Sequence, residues 1–228
     1  MKNIFQKDSS FLIAEKLKRL LKSSNVLSER ELDGSASQDL DVYWDPAMAE
    51  ILETWGIGNV WNEIQFLMAN CSGKVLDIAC GTGKTMALLA KFTQIDVYGF
   101  DISDLLISKA LERGIAADHL LVEDATNMTY GDNSFDYAYS IGSLEHFTED
   151  GILKFISECQ RVVRVSSMHQ IPVSRSGKNE GWIKTNQSYH NNSSEWWLEK
   201  FEHTFQTVYV LDSAWEDKRS VGKWFICK

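Results

Sequence analysis

The sequence has few cysteines and prolines, and it lacks the spacings that would give them a chemical role. Four cysteines are spread along the chain without a CxxC pair or a His/Cys spacing suited to zinc; they are Cys71, Cys80, Cys159 and Cys227. We therefore expect reduced thiols and no metal site. The two prolines, Pro46 and Pro172, do not precede a cysteine.

Basic patches and long apolar runs are also missing. The chain has 23 Lys and Arg against 32 Asp and Glu, a formal net charge of -9, and no dense basic run. Such a charge repels phosphate backbones, so we expect no nucleic-acid partner. No apolar run approaches the roughly 20 residues that span a bilayer. Charges interrupt the N-terminal 22 residues, which therefore do not resemble a signal peptide. These absences predict a cytoplasmic protein without a membrane partner.

The composition that remains fits one large domain with an N-terminal extension. The chain has 228 residues, of which 44% are hydrophobic, enough to bury a core. We assign residues 1–42 to a helix and a linker, with helical spacing at 9–22 and a polar stretch at 28–41. The helix at 9–22 fits domain docking or a membrane surface. The main domain is predicted at 43–228, and it begins with one or two aromatic-rich helices at 43–71.

From residue 74 onwards, apolar runs alternate with helical periodicity. Strands are predicted at 74–79, 95–101, 119–125, 134–142 and 164–173, and helices at 84–92, 102–114 and 149–162. This alternation indicates βαβ units and a parallel sheet. The last two apolar runs, 207–213 and 220–227, predict a terminal antiparallel hairpin.

Residues 80–85, CGTGKT, fit two kinds of binding loop. Gly83-Lys84-Thr85 is the ending of a phosphate-binding loop, which needs GxxxxGK[ST]. The position of its first glycine is occupied by Ile78, inside the predicted strand, so the loop is too short to wrap a phosphate. The dinucleotide pattern GxGxxG fails as well, because Met86 replaces the third glycine.

Residues Val75 to Gly83 do fit a third pattern. In this pattern a strand is followed by Asp, an apolar residue, a small residue, any residue, Gly, any residue and Gly. Here the sequence resembles the class I S-adenosylmethionine-dependent methyltransferases, over about residues 60–173. The resemblance implies an α/β, Rossmann-like, doubly wound and mostly parallel sheet of seven strands. The C-terminal hairpin takes the place of that family's last two strands, and a helical extension precedes the domain.

The resemblance also implies where the cofactor binds. Gly81 and Gly83 let the backbone approach the cofactor, and Asp77 lies under the turn near its methionine moiety. Asp101 accepts the ribose hydroxyls, and Asp124 binds the adenine. Apart from the resemblance, the aromatic pair at the start of the domain is predicted either to close over the cofactor, where a ring face favours the sulfonium charge, or to serve core packing or domain docking. The predicted cofactor residues are Asp77, Ala79, Gly81, Gly83, Asp101, Ile102, Asp124, Ala125, Ser140, Ile141, Tyr43 and Trp44. Lys84 has no phosphate to hold in this interpretation.

Methyl transfer needs alignment and, for a weakly acidic acceptor, a base. His146, beyond the fourth strand, is the first candidate base, and His169 in the fifth strand is the second. The polar segment 174–192 is predicted to cover the site or to be a solvated loop. Together with Glu145, it supplies the predicted substrate-binding residues, which are Arg175, Trp182, Tyr189 and His190.

The segments typical of DNA amino-methyltransferases, cytosine-C5 enzymes and arginine methyltransferases are absent. We therefore expect oxygen or nitrogen methylation of a small polar metabolite, anions included, by a monomer or a homodimer. A non-catalytic S-adenosylmethionine sensor or partner subunit stays open, and so does, with less support, a nucleotide-dependent oxidoreductase or phosphate-loop NTPase. The chain departs from the family at Ala79, where glycine is usual, and lacks the Pro-Gly-Gly turn before the fifth strand.

Overall fold

A computed structural model describes residue 38 and residues 40–228. The helix predicted at 9–22 lies outside the described residues, as does most of the linker predicted at 28–41, so the boundary at residue 42 stays a prediction. The α-helices are α1 (Pro46–Leu52), α2 (Val60–Met68), α3 (Lys84–Leu89), α4 (Asp104–Glu112), α5 (Glu149–Val162) and α6 (Ser194–Glu202). Short 3-10 turns lie at Asp41–Trp44, Ala117–His119 and Leu144–His146. No helix in this part of the chain is long and apolar enough to cross a membrane.

Seven strands form one sheet, and two more form a small hairpin. The strands are β1 (Gly73–Ile78), β2 (Ile95–Asp101), β3 (Leu120–Val122), β4 (Phe135–Ile141), β5 (Val163–Ser174), β6 (Trp182–Ile183), β7 (Tyr189–His190), β8 (Val208–Glu216) and β9 (Ser220–Cys227). The order in the large sheet is β3-β2-β1-β4-β5-β9-β8. Its first five strands in chain order are parallel, and β9 runs antiparallel to both β5 and β8. The predicted mostly parallel, doubly wound sheet with a terminal antiparallel hairpin is confirmed.

Both faces of the sheet are covered, which explains why its inner strands are apolar throughout. In β5, Ile171 and Val173 pack with Phe155 of α5 and Trp197 of α6. Met168 of the same strand belongs to the cluster on the other face, which contains residues of α2 and α3. The alternation along β5 therefore supplies both cores from one strand.

The turn after β1 is left-handed at three positions. Ala79, Gly81 and Gly83 have φ values of 58°, 55° and 68°. The two glycines adopt this conformation without steric cost, whereas the Cβ of Ala79 is strained there. The turn leads directly into α3, which begins at Lys84 and has Gly83 at its N-cap position.

Two elements were missed in the sequence. Helix α6 has a capping signal, since Ser193 Oγ accepts a hydrogen bond from Trp196 N at 3.2 Å. Its buried Trp197 and Phe201, four residues apart, mark its inner face. The β6–β7 hairpin lies within 174–192, where short strands in a polar segment give no clear alternation. Strand β3 has three residues rather than seven, because its pairing with β2 ends at Val122.

Candidate active site

A cavity of about 730 Å³ opens at the carboxyl ends of the parallel strands. The ends of β1, β2, β4 and β5 form its floor, and helix α1 with the residues around it covers one side. The segment between β6 and β7 contributes Thr185 and Gln187 to the wall. Gln187 Nε2 donates to Tyr43 Oη at 3.2 Å, so the covering segments meet over the cavity. This is the edge of a parallel sheet at which ligands bind.

Asp101 holds the turn after β1 at the cofactor end predicted from the sequence. Its Oδ2 accepts from Gly81 N at 2.9 Å, and its Oδ1 accepts from Ser103 N at 3.0 Å. Burial raises the pKa of this carboxyl above its usual range, although the two N–H donors oppose that shift. The second strand end and the glycine turn therefore form one hydrogen-bonded unit.

Asp77 lies beside this unit, also on the cavity wall. Tyr139 Oη donates to Asp77 Oδ2 at 2.7 Å. Burial raises the pKa of Asp77 to about 8, with a further contribution from the charge of Asp101. At neutral pH the buried pair thus carries less negative charge than two exposed carboxylates would.

Other predicted cofactor residues line the same end. Asp124 Oδ1 accepts from Thr126 N and Thr126 Oγ1, at 2.8 and 2.9 Å, and this bends the chain after β3. The residues that contribute to the wall here are Tyr43, Ala79, Gly81, Ile102, Asp124, Ala125 and Ile141. The residues brought together match the expected order of strand ends, while their roles toward a cofactor stay predictions.

Three predicted cofactor residues lie away from the cavity wall. A Cβ at Gly83 would come within 2.9 Å of the Ala110 side chain, so this glycine permits close packing of α3 on α4. Trp44 is 42% exposed, and its Nε1 donates to Asp104 Oδ1 at 2.8 Å. Ser140 is fully buried beneath the floor, hydrogen-bonded to His169. The sequence pattern located their backbone, but packing directs the side chains of Trp44 and Ser140 away from the cavity.

His146 lies on the cavity wall, in the short turn that follows β4. Its Nδ1 lies 2.8 Å from the carbonyl oxygen of Ser188, which can only accept, so Nδ1 carries the proton. Burial lowers the pKa of His146 to about 4, which leaves Nε2 unprotonated at neutral pH. Nε2 lies 3.7 Å from Glu145 Oε1. This tautomer is the one that a general base needs.

The second candidate base, His169, is excluded by its position. It is completely buried, with Nδ1 2.9 Å from Ser140 Oγ and Nε2 2.9 Å from Ser167 Oγ. Its ring stacks on Phe201 of α6 at 5.3 Å. The prediction was wrong because α6, unforeseen in the sequence, covers the face of β5 toward which His169 points.

The predicted substrate residues are divided by the structure. Glu145 and Tyr189 line the cavity, whereas Arg175, Trp182 and His190 do not. Arg175 is bound to Glu216 Oε2 at 2.7 Å and to the carbonyl of Asp217 at 2.8 Å. His190 is buried with Trp182 edge-on at 4.7 Å, part of the aromatic packing around α6.

The described wall of the cavity is acidic. Its carboxylates are Asp77, Asp101, Glu123, Asp124, Glu145, Asp150 and Asp217, against two lysines, Lys84 and Lys154. Both lysines are paired, Lys84 with Glu53 at 3.7 Å and Lys154 with Asp150 at 2.6 Å. Nowhere in the described part of the chain is there a group of His, Cys, Asp or Glu fit to hold a metal ion.

Three residues of the cavity wall were not predicted from the sequence. The part of the cavity that contains them together with Glu145 and His146 is called the acceptor end below. Gln170 of β5 and Trp55 after α1 line the cavity, and so does Trp215 of β8. Gln170 had only a weak signal, since it is the one amide of the fifth strand but lies beside His169 and after two serines. Trp55 and Trp215 had none, because they reach the cavity only through the packing of distant elements.

Comparison with known proteins agrees with this architecture. Residues 75–166 match the family model described as a methyltransferase domain. The O-methyltransferase cnsE of Penicillium expansum is 35% identical over 114 residues, which cover 47% of this chain and 41% of that protein. The chain spans less than half the length of the first curated relatives that it matches.

Two solved structures share the fold. Phosphoethanolamine N-methyltransferase 2 of Haemonchus contortus, in complex with S-adenosyl-L-methionine, superposes with a TM-score of 0.64 at 16% identity, covering 96% of this chain and 74% of that one. The [4+2]-cyclase SpnF superposes with a TM-score of 0.56 at 22% identity, covering 88% and 72%. At these identities the likeness shows the fold alone.

The sheet order and the matched domain define a Rossmann-like methyltransferase domain. Residues 75–166 of this chain accordingly match a methyltransferase domain, and among the proteins that the chain resembles are S-adenosylmethionine-dependent methyltransferases.

Proposed function

We propose that the protein transfers the methyl group of S-adenosylmethionine to an oxygen or nitrogen of a small polar molecule. One observation carries the proposal. The strand-end carboxylates Asp77 and Asp101, with the left-handed turn between them, share one cavity with His146. A cofactor end and a candidate base in the same enclosed space are the two parts that methyl transfer requires.

The residues of the cofactor end fit the proposed ligand. Asp101 fixes the turn and lines the cavity, so a ribose at the end of β2 would lie against its carboxylate. Ala79 and Gly81 present backbone rather than bulky side chains beside it. When bound, S-adenosylmethionine supplies an electrophilic methyl group on a sulfonium, and the acidic wall favours that positive charge.

His146 would remove the acceptor proton. Because Nδ1 donates to Ser188, Nε2 is the ring atom that can accept a proton. The Ser188 carbonyl then stabilises the imidazolium that forms, since it already holds the Nδ1–H.

The anionic acceptors included in the sequence-based expectation have less support. Arg175 binds Glu216 away from the cavity, and both cavity lysines are paired with carboxylates. The phosphoethanolamine activity in the name of the Haemonchus structure therefore has no matching cation among the described cavity residues.

Calorimetric titration tests the cofactor. We expect binding of S-adenosylmethionine and S-adenosylhomocysteine but not of NAD or ATP. Asp101→Asn should weaken binding of both adenosyl ligands, while Asp96→Asn, on the exposed part of β2, is the matched control. Absence of heat with both adenosyl ligands would refute the proposal.

A non-catalytic sensor would bind the same ligands, so turnover decides that alternative. Transfer of a labelled methyl group should be assayed against neutral, cationic and anionic hydroxyl and amine compounds. Tight cofactor binding without transfer to any of them would favour the sensor or partner subunit.

A further inference from the structure

The acceptor end of the cavity contains a buried amide without a hydrogen-bond partner. Gln170 is 1% exposed, and within the described residues neither Nε2 nor Oε1 has a partner. Gln170 is nevertheless one of the residues that line the cavity. Buried polar groups are almost always hydrogen-bonded, so an amide with both ends free needs an explanation.

The fold holds this amide in place from both neighbouring strands. The Gln170 backbone carbonyl accepts from Gly142 N at 3.0 Å, and Gln170 is in register with Trp224 of β9. A Cβ at Gly222 would lie 2.7 Å from Gln170 Nε2, so the missing side chain of Gly222 leaves the space that the amide occupies. The position is therefore built by the sheet and does not depend on a mobile surface loop.

Glu145 supplies a second buried polar atom without a partner in the described chain, and it follows the strand next to that of Gln170. Glu145 is 3% exposed, and its Oε2 also has no partner within the described residues. Glu145 lies shortly after the end of β4, and Gln170 lies within β5. These two strands are hydrogen-bonded neighbours in the sheet. Both residues lie on the wall that carries His146.

The chemistry of these atoms restricts what can bind. An amide offers one donor nitrogen and one acceptor oxygen, and it carries no charge. A carboxylate would satisfy only the donor, and it would meet the acidic wall without a free cation in the described part of the cavity.

We propose that Gln170 is a specificity-determining residue that pairs with an uncharged group of the methyl acceptor, one that both donates and accepts, as a carboxamide or lactam does. This inference rests on the proposed function, because it names the substrate class of that same site. Gln170 selects the acceptor, whereas His146 acts on its proton.

The first test needs no ligand. Gln170→Met keeps the length of the side chain and removes both free polar atoms, so the melting temperature of the free protein should rise by a few degrees. Gln160→Met is the matched control, because the Gln160 amide already donates to Thr204 O at 2.8 Å. That variant should melt at the same temperature or lower. If Gln170→Met lowers the melting temperature by at least as much as Gln160→Met does, the proposal is overturned. Such a result would mean that the Gln170 amide is already paired in the free protein.

The second test uses benzamide and nicotinamide against benzoate and nicotinate, with binding followed by ligand-observed NMR. We expect the amides to bind more tightly than their carboxylates, and Gln170→Met to weaken amide binding at least tenfold without changing affinity for S-adenosylhomocysteine. Preference for the carboxylates, absence of amide binding, or equal amide binding by the variant would overturn the inference. If the wild-type protein fails to bind S-adenosylhomocysteine, the proposed function fails instead, and the melting comparison still judges Gln170.

Discussion

The two ends of the cavity differ in how their buried polar atoms are satisfied. At the cofactor end, Asp101 accepts hydrogen bonds from two backbone N–H groups, and Asp77 accepts one from Tyr139. At the acceptor end, both polar atoms of Gln170 and one oxygen of Glu145 have no partner in the described chain. At the cofactor end the two strand-end aspartates are thus paired in the free protein, although Glu123 Oε2 has no partner in the described chain. At the acceptor end, the only side-chain amide of β5 has neither of its polar atoms paired in the described chain.

This difference teaches which part of the site is tied to stability and which part to selectivity. A satisfied network rigidifies the turn that must fit one cofactor. Unpaired groups destabilise the free protein, but they discriminate strongly between ligands that do and do not pair with them. Changes at the cofactor end should therefore alter affinity and folding together, whereas changes at the acceptor end should alter turnover or selectivity.

The largest effect is expected at His146. His146→Ala removes the proposed base, and turnover should fall about 10²- to 10⁴-fold while affinity for S-adenosylhomocysteine is retained. The control is His203→Ala, an exposed histidine bonded to the Glu199 carbonyl. Unchanged turnover in the variant would show that His146 is not the base. If turnover and affinity for S-adenosylhomocysteine fall together, the two ends of the cavity do not act separately on turnover and on cofactor binding.

Glu63 tests how far the fold depends on the wall around the acceptor end. This α2 residue accepts from Ser213 Oγ and Trp224 Nε1, both at 2.7 Å, and from Ala214 N, and so ties α2 to β8 and β9. Glu63→Ala should lower the free energy of unfolding by about 1–3 kcal/mol, chiefly because the buried Trp224 indole loses its acceptor. Urea denaturation measures it.

Glu112→Ala is the control for Glu63, since Glu112 is exposed and pairs only with Lys109 on the same helix. It should cost at most about 0.5 kcal/mol. Equal losses in the two variants would mean that the bonds from α2 to the hairpin contribute no more than a surface ion pair.

The pH dependence of stability should change in Glu145→Gln. Burial raises the pKa of Glu145 to about 8, from 4.5 in the unfolded chain. The folded protein therefore binds this proton more tightly, and stability falls as pH rises from about 4.5 through 8. Between pH 5 and 8 the slope of melting temperature against pH should therefore be less negative in the variant than in the wild type, while the contributions of Asp77 and of the buried histidines, which oppose each other, remain in both. The exposed Glu50→Gln is the control for loss of a negative charge, and an equal change there would contradict the assignment.

The smallest effect is expected at Ala79. Its φ of 58° is unfavourable for a residue with a Cβ, so Ala79→Gly should stabilise the protein by about 1 kcal/mol. Ala87→Gly, in the exposed middle of α3, should have the opposite sign, with a loss of about 0.5–1 kcal/mol. Chemical denaturation of both variants measures the difference. Destabilisation by Ala79→Gly would show that contacts of the Ala79 methyl group outweigh the strain.

Much of the fold was predictable because its signals are local. Strand β2 and helix α5 have the predicted bounds, 95–101 and 149–162, since alternating apolar runs and the glycine turn need no distant partner to be recognised. Helix α6 and the β6–β7 hairpin were missed, and the first of these errors led to the wrong role for His169. Polar segments acquire structure here through packing on β5 and β9.

Local sequence signals are sufficient to predict the sheet, the turn from Asp77 to Gly83 and the strand-end carboxylates, because parallel strands necessarily bring their carboxyl ends to one edge. Which side chains reach the cavity depends on long-range packing. It buried His169 under α6, bound Arg175 to Glu216, and left the amide of Gln170 free beside Gly222. Such choices depend on which surface covers each face of a strand, and residues far apart in the chain supply those surfaces.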